Sequence, residues 1–164
     1  MSRFRVARSV PLAPEEAWRR LTDWPAHGRR VPLTRTTVLT SGPSRAGTRF
    51  TARTGLGPLG FDDPMEVVRW EPPSGGRPGV CRLEKYGRLV RGWAEIEVAS
   101  EAGGCRVLWT EELSVRGVPG VFDGALARVG RVVFGRALDG LLGRSSPSGR
   151  GPSRDGRSSN RLSS

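Results

Sequence analysis

Residues that bind metals or act as nucleophiles are scarce in this sequence. Its 164 residues include one histidine, His27, and two cysteines. A zinc site or a Ser-His-Asp triad would have to be built around that single histidine. His27 lies in a polar, arginine-flanked stretch, where a surface histidine is the simpler interpretation and a catalytic one the alternative. The sequence therefore predicts no metal site and no bound cofactor.

The sequence also lacks the features of an exported or membrane-spanning protein. No run approaches the roughly eighteen apolar residues that identify a transmembrane helix. Residues 1–10 carry three arginines and no apolar core of a signal peptide. Cys81 and Cys105 fall inside strand-like runs, and we expect free thiols in a reducing compartment rather than a disulfide. These observations predict a cytoplasmic protein.

Lysine is nearly absent, because Lys85 is the only lysine among 27 basic residues and the net charge of +11 comes from arginine. The arginines are spread along the chain, so we expect weak affinity for anionic surfaces but no dedicated nucleic-acid site. Residues 144–164 contain mostly Ser, Gly, Arg and Pro, which cannot offset the entropy of ordering. We therefore predict a folded domain over residues 1–143 and a disordered tail over residues 144–164.

The longest periodic stretch is residues 119–143, where apolar residues recur every three or four positions. Charged residues interrupt it, so it cannot be a membrane span. We predict a helix of about six turns that covers a sheet. The apolar stripe expected to face that sheet is Phe122, Leu126, Val129, Val133, Ala137 and Leu141.

Most of the chain before this helix has the period of two that is typical of strands. A first strand is predicted over residues 4–10, and a short helix begins at Pro14, with Glu15 and Glu16 in its first turn. That helix should stop at Trp24, before a proline, and a basic connector or short turn should follow. Further strands are predicted near residues 36–40, 49–53, 65–70, 80–86, 89–99 and 105–113. The glycine-rich residues 54–60 form a candidate lip of an opening, and the Asp62-Asp63 pair is expected in a solvated turn.

A family resemblance is based on the order of the predicted elements and on two sequence segments. The segments are Met-Glu-Val-Val-Arg-Trp-Glu-Pro-Pro at residues 65–73 and Cys-Arg-Val-Leu-Trp-Thr-Glu-Glu-Leu at residues 105–113. The chain resembles the START-like or polyketide cyclase-dehydrase (SRPBCC, Bet v 1-like) superfamily over nearly all of residues 3–143. That resemblance implies an α+β helix-grip fold, in which a curved antiparallel sheet of about six to seven strands wraps around a long C-terminal helix. It also implies a cavity for an apolar small molecule, and no shared catalytic residue.

Alternation along the strands and the helix stripe together predict which residues line such a cavity. For any one of them the alternative is an ordinary core position. Glycine and alanine on the helix indicate a close approach, either of a ligand or of the sheet's own backbone. The predicted ligand-binding residues are Phe50, Leu83, Ile96, Trp109, Phe122, Leu126, Val129 and Val133.

Glu111 is the acidic residue that alternation places among apolar neighbours. It could act as a general acid or base, or it could be a carboxylate at the sheet rim paired with an arginine. Three functions remain open. The first is binding or carriage of a small apolar, lipid- or polyketide-like molecule by a monomer or weak homodimer. The second is a polyketide cyclase or dehydratase, and the third is a basic domain docking on RNA or an anionic membrane.

Overall fold

The computed structural model describes residues 1–143, which form seven strands and three α-helices. Two short 3-10 turns, Gly57–Leu59 and Gly120–Phe122, precede β4 and the last helix. The predicted disordered tail, residues 144–164, lies outside the described residues. The elements in chain order are β1 Ser2–Val10, α1 Pro14–Leu21, α2 Trp24–Arg30, β2 Thr34–Val38, β3 Arg49–Thr54, β4 Phe61–Glu71, β5 Gly79–Tyr86, β6 Val90–Glu101, β7 Gly104–Val115 and α3 Asp123–Leu141.

The seven strands form one curved antiparallel sheet in the order β1-β7-β6-β5-β4-β3-β2. Consecutive strands from β2 to β7 are neighbours, and β1 closes the far edge by pairing with β7. Along each of the central strands, side chains of one face are buried while alternate ones are more exposed, as in β5. The three helices cover the buried face. This is the predicted helix-grip fold of the α+β class.

The segment after α1 is a second helix, so the prediction of a connector at this point is wrong. Trp24 begins α2 instead of ending α1, and Pro25 occupies the first turn, where its missing N–H costs nothing. Asp23 caps this helix, since its Oδ1 accepts a hydrogen bond of 3.0 Å from the backbone N–H of Ala26. The helix turns Trp24 and His27 towards the sheet.

The C-terminal helix buries only part of the face that the sequence predicts. Phe122 lies outside α3 and is 54 % exposed, and Val129 is 60 % exposed. Leu126 and Val133 are half-buried. Of the predicted stripe, Ala137 and Leu141 are buried. The other residues of the packed face are Ala127, Gly130, Phe134 and Leu138. Because α3 is apolar on more than one side, spacing alone could not identify the packed face.

The small residues of α3 allow a close approach to the edge strand β1. A Cβ atom at Gly130 would lie 2.5 Å from a ring carbon of Phe4, and one at Gly135 would lie 3.1 Å from the guanidinium of Arg8. The Nε atom of Arg8 also lies 2.7 Å from Asp139 Oδ1, an ion pair that fixes α3 along β1. Gly130 and Gly135 therefore make room for side chains of β1, which is neither the ligand nor the sheet backbone that the sequence leaves open as alternatives.

The remaining structural predictions concern the cysteines and membrane insertion. Cys81 and Cys105 are both buried and unpaired, as predicted. No helix within residues 1–143 is long and apolar enough to cross a membrane.

Candidate functional site

A cavity of about 100 Å³ lies between α2 and the buried face of the sheet. Because α3 packs mainly on β1 and on α2, it contributes only Phe134 to this cavity. The walls are apolar and aromatic except for one histidine, one lysine, one aspartate and several threonines. They consist of Trp24, His27, Gly28, Val31, Thr34, Thr36, Phe50, Ala52, Thr54, Asp63, Met65, Leu83, Lys85, Ala94, Trp109 and Phe134.

The structure brings three of the predicted ligand-binding residues, Phe50, Leu83 and Trp109, together in the wall of this cavity. Ile96 is fully buried but lies outside the wall, on a strand that α1 also contacts. The cavity takes Phe134 from the C-terminal segment, and the four residues predicted from that segment do not line it. These are Phe122, Leu126, Val129 and Val133.

Aromatic side chains from four elements form a continuous wall. The rings of Trp24 and Phe50 stack with centroids 4.6 Å apart, which joins α2 to β3. The His27 ring lies 5.5 Å from that of Trp109, and Trp109 stacks on Phe134 at 5.4 Å. Such contacts fix the ring orientations and add to the energy of burial. The aromatic wall is therefore held in place before any ligand arrives.

His27 is not the surface histidine of the simpler sequence interpretation. Its Nε2 atom lies 2.5 Å from the carbonyl oxygen of Leu21, and since a carbonyl can only accept, Nε2 carries the hydrogen. Burial lowers the pKa of His27, although the Leu21 carbonyl and Asp23 act in the opposite direction. The neutral ring therefore keeps a lone pair on Nδ1. No sequence signal revealed this placement, because a residue before proline usually ends a helix, whereas Trp24 begins α2.

A buried polar cluster lies on the sheet side of the cavity and consists of Asp63 on β4, Lys85 on β5 and Glu111 on β7. The Nζ atom of Lys85 lies 2.7 Å from Asp63 Oδ2 and 3.1 Å from Glu111 Oε1. Glu111 is fully buried, and its Oε2 accepts a 3.1 Å hydrogen bond from the indole N–H of Trp109. Burial acts to lower the pKa of Lys85, but the charges of Glu111 and Asp63 outweigh it and raise the pKa.

This cluster corrects two sequence interpretations. Asp63 does not lie in a solvated turn, because β4 begins at Phe61 and its alternation turns Asp63 to the buried face. Glu111 is paired with the only lysine of the chain rather than with an arginine at the rim. The alternation of apolar and polar residues along β7 correctly predicts that Glu111 lies on the buried face. The Asp-Asp-Pro sequence of β4, in contrast, is typical of a turn, so the start of this strand was not predicted. Lys85 could have been noticed as the lysine that falls on the apolar face of β5.

Small residues on β6 leave room for the contact between Lys85 and Glu111, whose strands are not neighbours. In register, Gly92 lies opposite Lys85, and Ala94 lies opposite Glu111. Gly92 has a φ of +145°, and a Cβ atom there would lie 2.0 Å from the carbonyl oxygen of Glu112. Only glycine fits this position, because an added Cβ would meet the backbone of β7.

The cavity adjoins an open groove at the surface, with which it shares Gly28, Val31 and Thr34. The groove has a volume of about 540 Å³ and runs between the end of α2 and the start of β2, beside the β3–β4 loop. Its charged side chains are Arg29, Arg35 and Arg53. A ligand larger than the cavity could therefore extend into a basic groove.

Acidic, histidine and cysteine side chains within residues 1–143 form no group of three arranged to hold a metal ion. The chemistry available at the cavity is therefore that of the polar cluster, the neutral His27 ring and the apolar walls. These groups can orient a ligand, hydrogen-bond to it and move a proton.

Comparison with known protein families gives one match, to a family described as "Polyketide cyclase / dehydrase and lipid transport", over residues 1–144. No curated protein sequence matches the chain.

Solved structures with the same fold have low sequence identity to this chain. TTHA0849 from Thermus thermophilus is 19 % identical, with a TM-score of 0.62, over 87 % of this chain and 95 % of that one. The Zhui aromatase/cyclase from a Streptomyces species is 14 % identical, with a TM-score of 0.61, and the match covers 87 % of this chain and 93 % of that one. Ara h 8.0201 is 9 % identical, with a TM-score of 0.58, over 86 % and 97 %. At these identities the likeness establishes the fold alone.

Proposed function

Because this chain belongs to the polyketide cyclase/dehydrase and lipid-transport family, we propose that it binds a small, largely apolar molecule in the cavity between α2 and the sheet. The observation that supports this most is the preformed aromatic wall of Trp24, Phe50, Trp109 and Phe134 around a concave space. Ligand sites are usually concave and apolar, with a few polar groups that fix orientation. The polar cluster beside this wall fits that description.

The size of the cavity limits which part of a ligand it can enclose. Its 100 Å³ is below the roughly 300–1,000 Å³ of drug-sized ligand pockets. An apolar cavity of about 150 Å³ can hold a benzene molecule, so one ring or a short branched chain is the upper limit of what this smaller cavity encloses. The rest of a larger ligand would occupy the adjoining basic groove.

A pair of substitutions on β3 tests this proposal. Ala52 lies in the cavity wall, whereas Thr51 lies on the opposite face of the strand. Lipids and aromatic polyketide-like compounds would be screened by thermal shift against the wild type, Ala52→Phe and Thr51→Phe. A ligand at a hundredfold over its Kd adds about 2.7 kcal/mol to the stability of the wild type. We expect this stabilisation to disappear in Ala52→Phe and to remain in Thr51→Phe, and the reverse result would refute the site.

A second candidate function is cyclisation or dehydration of a polyketide-like substrate, which is favoured by the neutral His27 and the Lys85 ammonium in the wall of the same cavity. The Nδ1 lone pair of His27 could take a proton from a carbon between two carbonyl groups, while the Lys85 ammonium stabilises the enolate oxygen. The enolate carbon would then attack a second carbonyl, and His27 would return its proton to the new alkoxide. Glu111 lies outside the cavity wall, so it would position Lys85 and Trp109 rather than touch substrate.

His27→Gln distinguishes the two functions. A carrier should retain ligand affinity in this variant and release the ligand unchanged, whereas a cyclase should bind a short linear polyketone and lose the cyclised product. The third function, docking on RNA or an anionic membrane, ranks last, because several arginines of residues 1–143 already pair with carboxylates, as Arg49 does with Glu66.

A further inference from the structure

Asp63 lines the cavity, and only one of its two carboxylate oxygens has a hydrogen-bond partner. Its side chain is buried, with the residue 8 % exposed, and its Oδ2 atom accepts the 2.7 Å hydrogen bond from Lys85. Its Oδ1 atom is buried and has no hydrogen-bond partner within residues 1–143. A buried acceptor without a donor loses its interactions with water and gains nothing in return. This oxygen is therefore a position at which a ligand's donor would be stabilised.

The rest of the cluster cannot supply that donor. The Lys85 ammonium lies between Asp63 Oδ2 and Glu111 Oε1, at 2.7 and 3.1 Å. The indole N–H of Trp109 donates to Glu111 Oε2. The N–H of His27 donates to the carbonyl of Leu21. The hydrogen bonds that these side chains donate thus go to other acceptors, and no donor within residues 1–143 reaches Asp63 Oδ1.

The charges of the cluster also do not balance. The cluster holds two carboxyl groups, those of Asp63 and Glu111, but only one ammonium, that of Lys85, so its acidic groups outnumber its basic one. The other titratable group of the cavity wall, His27, is neutral because burial lowers its pKa. A buried charge is costly unless it is paired. The site therefore disfavours a carboxylate or phosphate group beside Asp63 and favours a donor, above all a cationic one.

We infer that the ligand carries a hydrogen-bond donor and that Asp63 Oδ1 accepts this hydrogen bond. The inference is drawn from the unpartnered oxygen and from the excess of acidic over basic groups in the cluster, and it rests on the ligand cavity proposed above. The donor is a hydroxyl or a protonated amine attached to a ring-sized apolar body. The aromatic wall strengthens the case for the amine, because the faces of tryptophan rings attract cations. Asp63 is thus the residue that selects the polar end of the ligand.

Four probes with the same ring test this selection: toluene, benzyl alcohol, benzylamine and benzoate. Their dissociation constants would be measured by NMR from the indole signals of Trp24 and Trp109, which lie in the cavity wall. Hydrogen bonds to charged groups predict that benzylamine or benzyl alcohol binds at least about tenfold more tightly than toluene. Benzoate should bind more weakly than toluene. Preference for benzylamine would identify the cationic donor, and equal binding of the alcohol would identify the neutral one.

Asp63→Asn, with Asp62→Asn as its matched control, assigns the preference to one carboxylate. Asp62 is the neighbouring residue, but it is exposed and pairs with Arg53 at the surface. We expect Asp63→Asn to abolish the tenfold advantage of benzylamine over toluene while toluene binding persists, and Asp62→Asn to leave both unchanged. If Asp63→Asn does not fold, the ranking of the four probes on the wild type still shows whether the cavity prefers a ligand with a hydrogen-bond donor.

The possible failures are distinguishable. Equal affinities of toluene and both donor probes, or tighter binding of benzoate, would overturn the role of Asp63 while leaving the cavity as a binding site. Retention of the benzylamine preference in Asp63→Asn would overturn it as well. Failure of all four probes to bind would contradict the ligand cavity itself, and the inference with it.

Discussion

Lys85 on β5 and Glu111 on β7 form an ion pair that passes over the strand between them, with 3.1 Å between Lys85 Nζ and Glu111 Oε1. Both side chains are buried, and the lysine also bonds to Asp63 on β4. The cluster therefore connects β4, β5 and β7 at the buried face of the sheet, beside the cavity. Lys85 is the counter-charge for the two buried carboxylates, Asp63 and Glu111.

Removing Lys85 should destabilise the protein strongly. Lys85→Met would leave two carboxylates buried without a counter-charge, and breaking a buried ion pair by removing one partner typically costs about 3–5 kcal/mol. The free energy of unfolding would be measured by urea titration. The triple variant Lys85→Met, Asp63→Asn, Glu111→Gln removes all three charges and should recover much of this loss. A loss below about 1 kcal/mol for Lys85→Met would mean that the cluster behaves like an exposed ion pair.

Two glycines of α3 should respond to alanine in opposite directions. Gly124 has open space where a Cβ would lie, so Gly124→Ala should stabilise the protein by about 0.5–1 kcal/mol through helix propensity. At Gly130 the added atom would lie 2.5 Å from the Phe4 ring, and Gly130→Ala should cost about 1–3 kcal/mol. Thermal unfolding of both variants compares them. A stabilising Gly130→Ala would mean that α3 does not approach β1 so closely.

The packed face of α3 can be tested by truncating leucine and valine on its two sides. Leu138 is fully buried, so Leu138→Ala should cost about 2–5 kcal/mol. Val129 is 60 % exposed, and Val129→Ala should change stability by no more than about 0.5 kcal/mol. Chemical denaturation gives both values. A larger loss for Val129→Ala than for Leu138→Ala would restore the face that the sequence predicts.

The stability of the protein should depend on pH through His27 below about pH 6.5, the ordinary pKa of a histidine. Burial lowers the pKa of His27 in the folded state, so the unfolded chain binds a proton at a higher pH than the folded one does. The stabilisation is complete above the unfolded pKa and decreases as the pH falls below it.

His27→Gln provides the control for this prediction, because His27 is the only histidine in the sequence. Melting temperatures measured across this range should fall with decreasing pH in the wild type and change much less in His27→Gln. Equal slopes in the two proteins would assign the pH dependence to other groups, such as the buried carboxylates.

Much of the fold is predictable because period two is a strong signal wherever one face of a strand is buried. The sequence correctly predicts β5, β6 and β7 and the inward position of Glu111. The packed face of a helix is harder to predict, because α3 is apolar on several sides. Its orientation depends on the approach of Gly130 to Phe4, which is a tertiary contact.

The candidate site was less predictable than the fold. Phe50, Leu83 and Trp109 could be placed in the wall from alternation alone. The contributions of Trp24 and His27 could not, because they depend on α2 beginning at a Trp-Pro pair that usually ends a helix. Asp63 and Lys85 are far apart in the sequence and come together only through the pairing of β4 with β5.

The most direct test of the proposed binding cavity uses the five tryptophans of the chain as internal reporters. Their indole N–H signals would be assigned by Trp→Phe substitution and followed by NMR during a titration with toluene. Trp24 and Trp109 line the cavity, whereas Trp18 and Trp70 contact each other elsewhere and Trp93 lies against Arg82. We predict saturable shifts at Trp24 and Trp109 alone. No shift at these two residues, or equal shifts at all five, would contradict binding in this cavity.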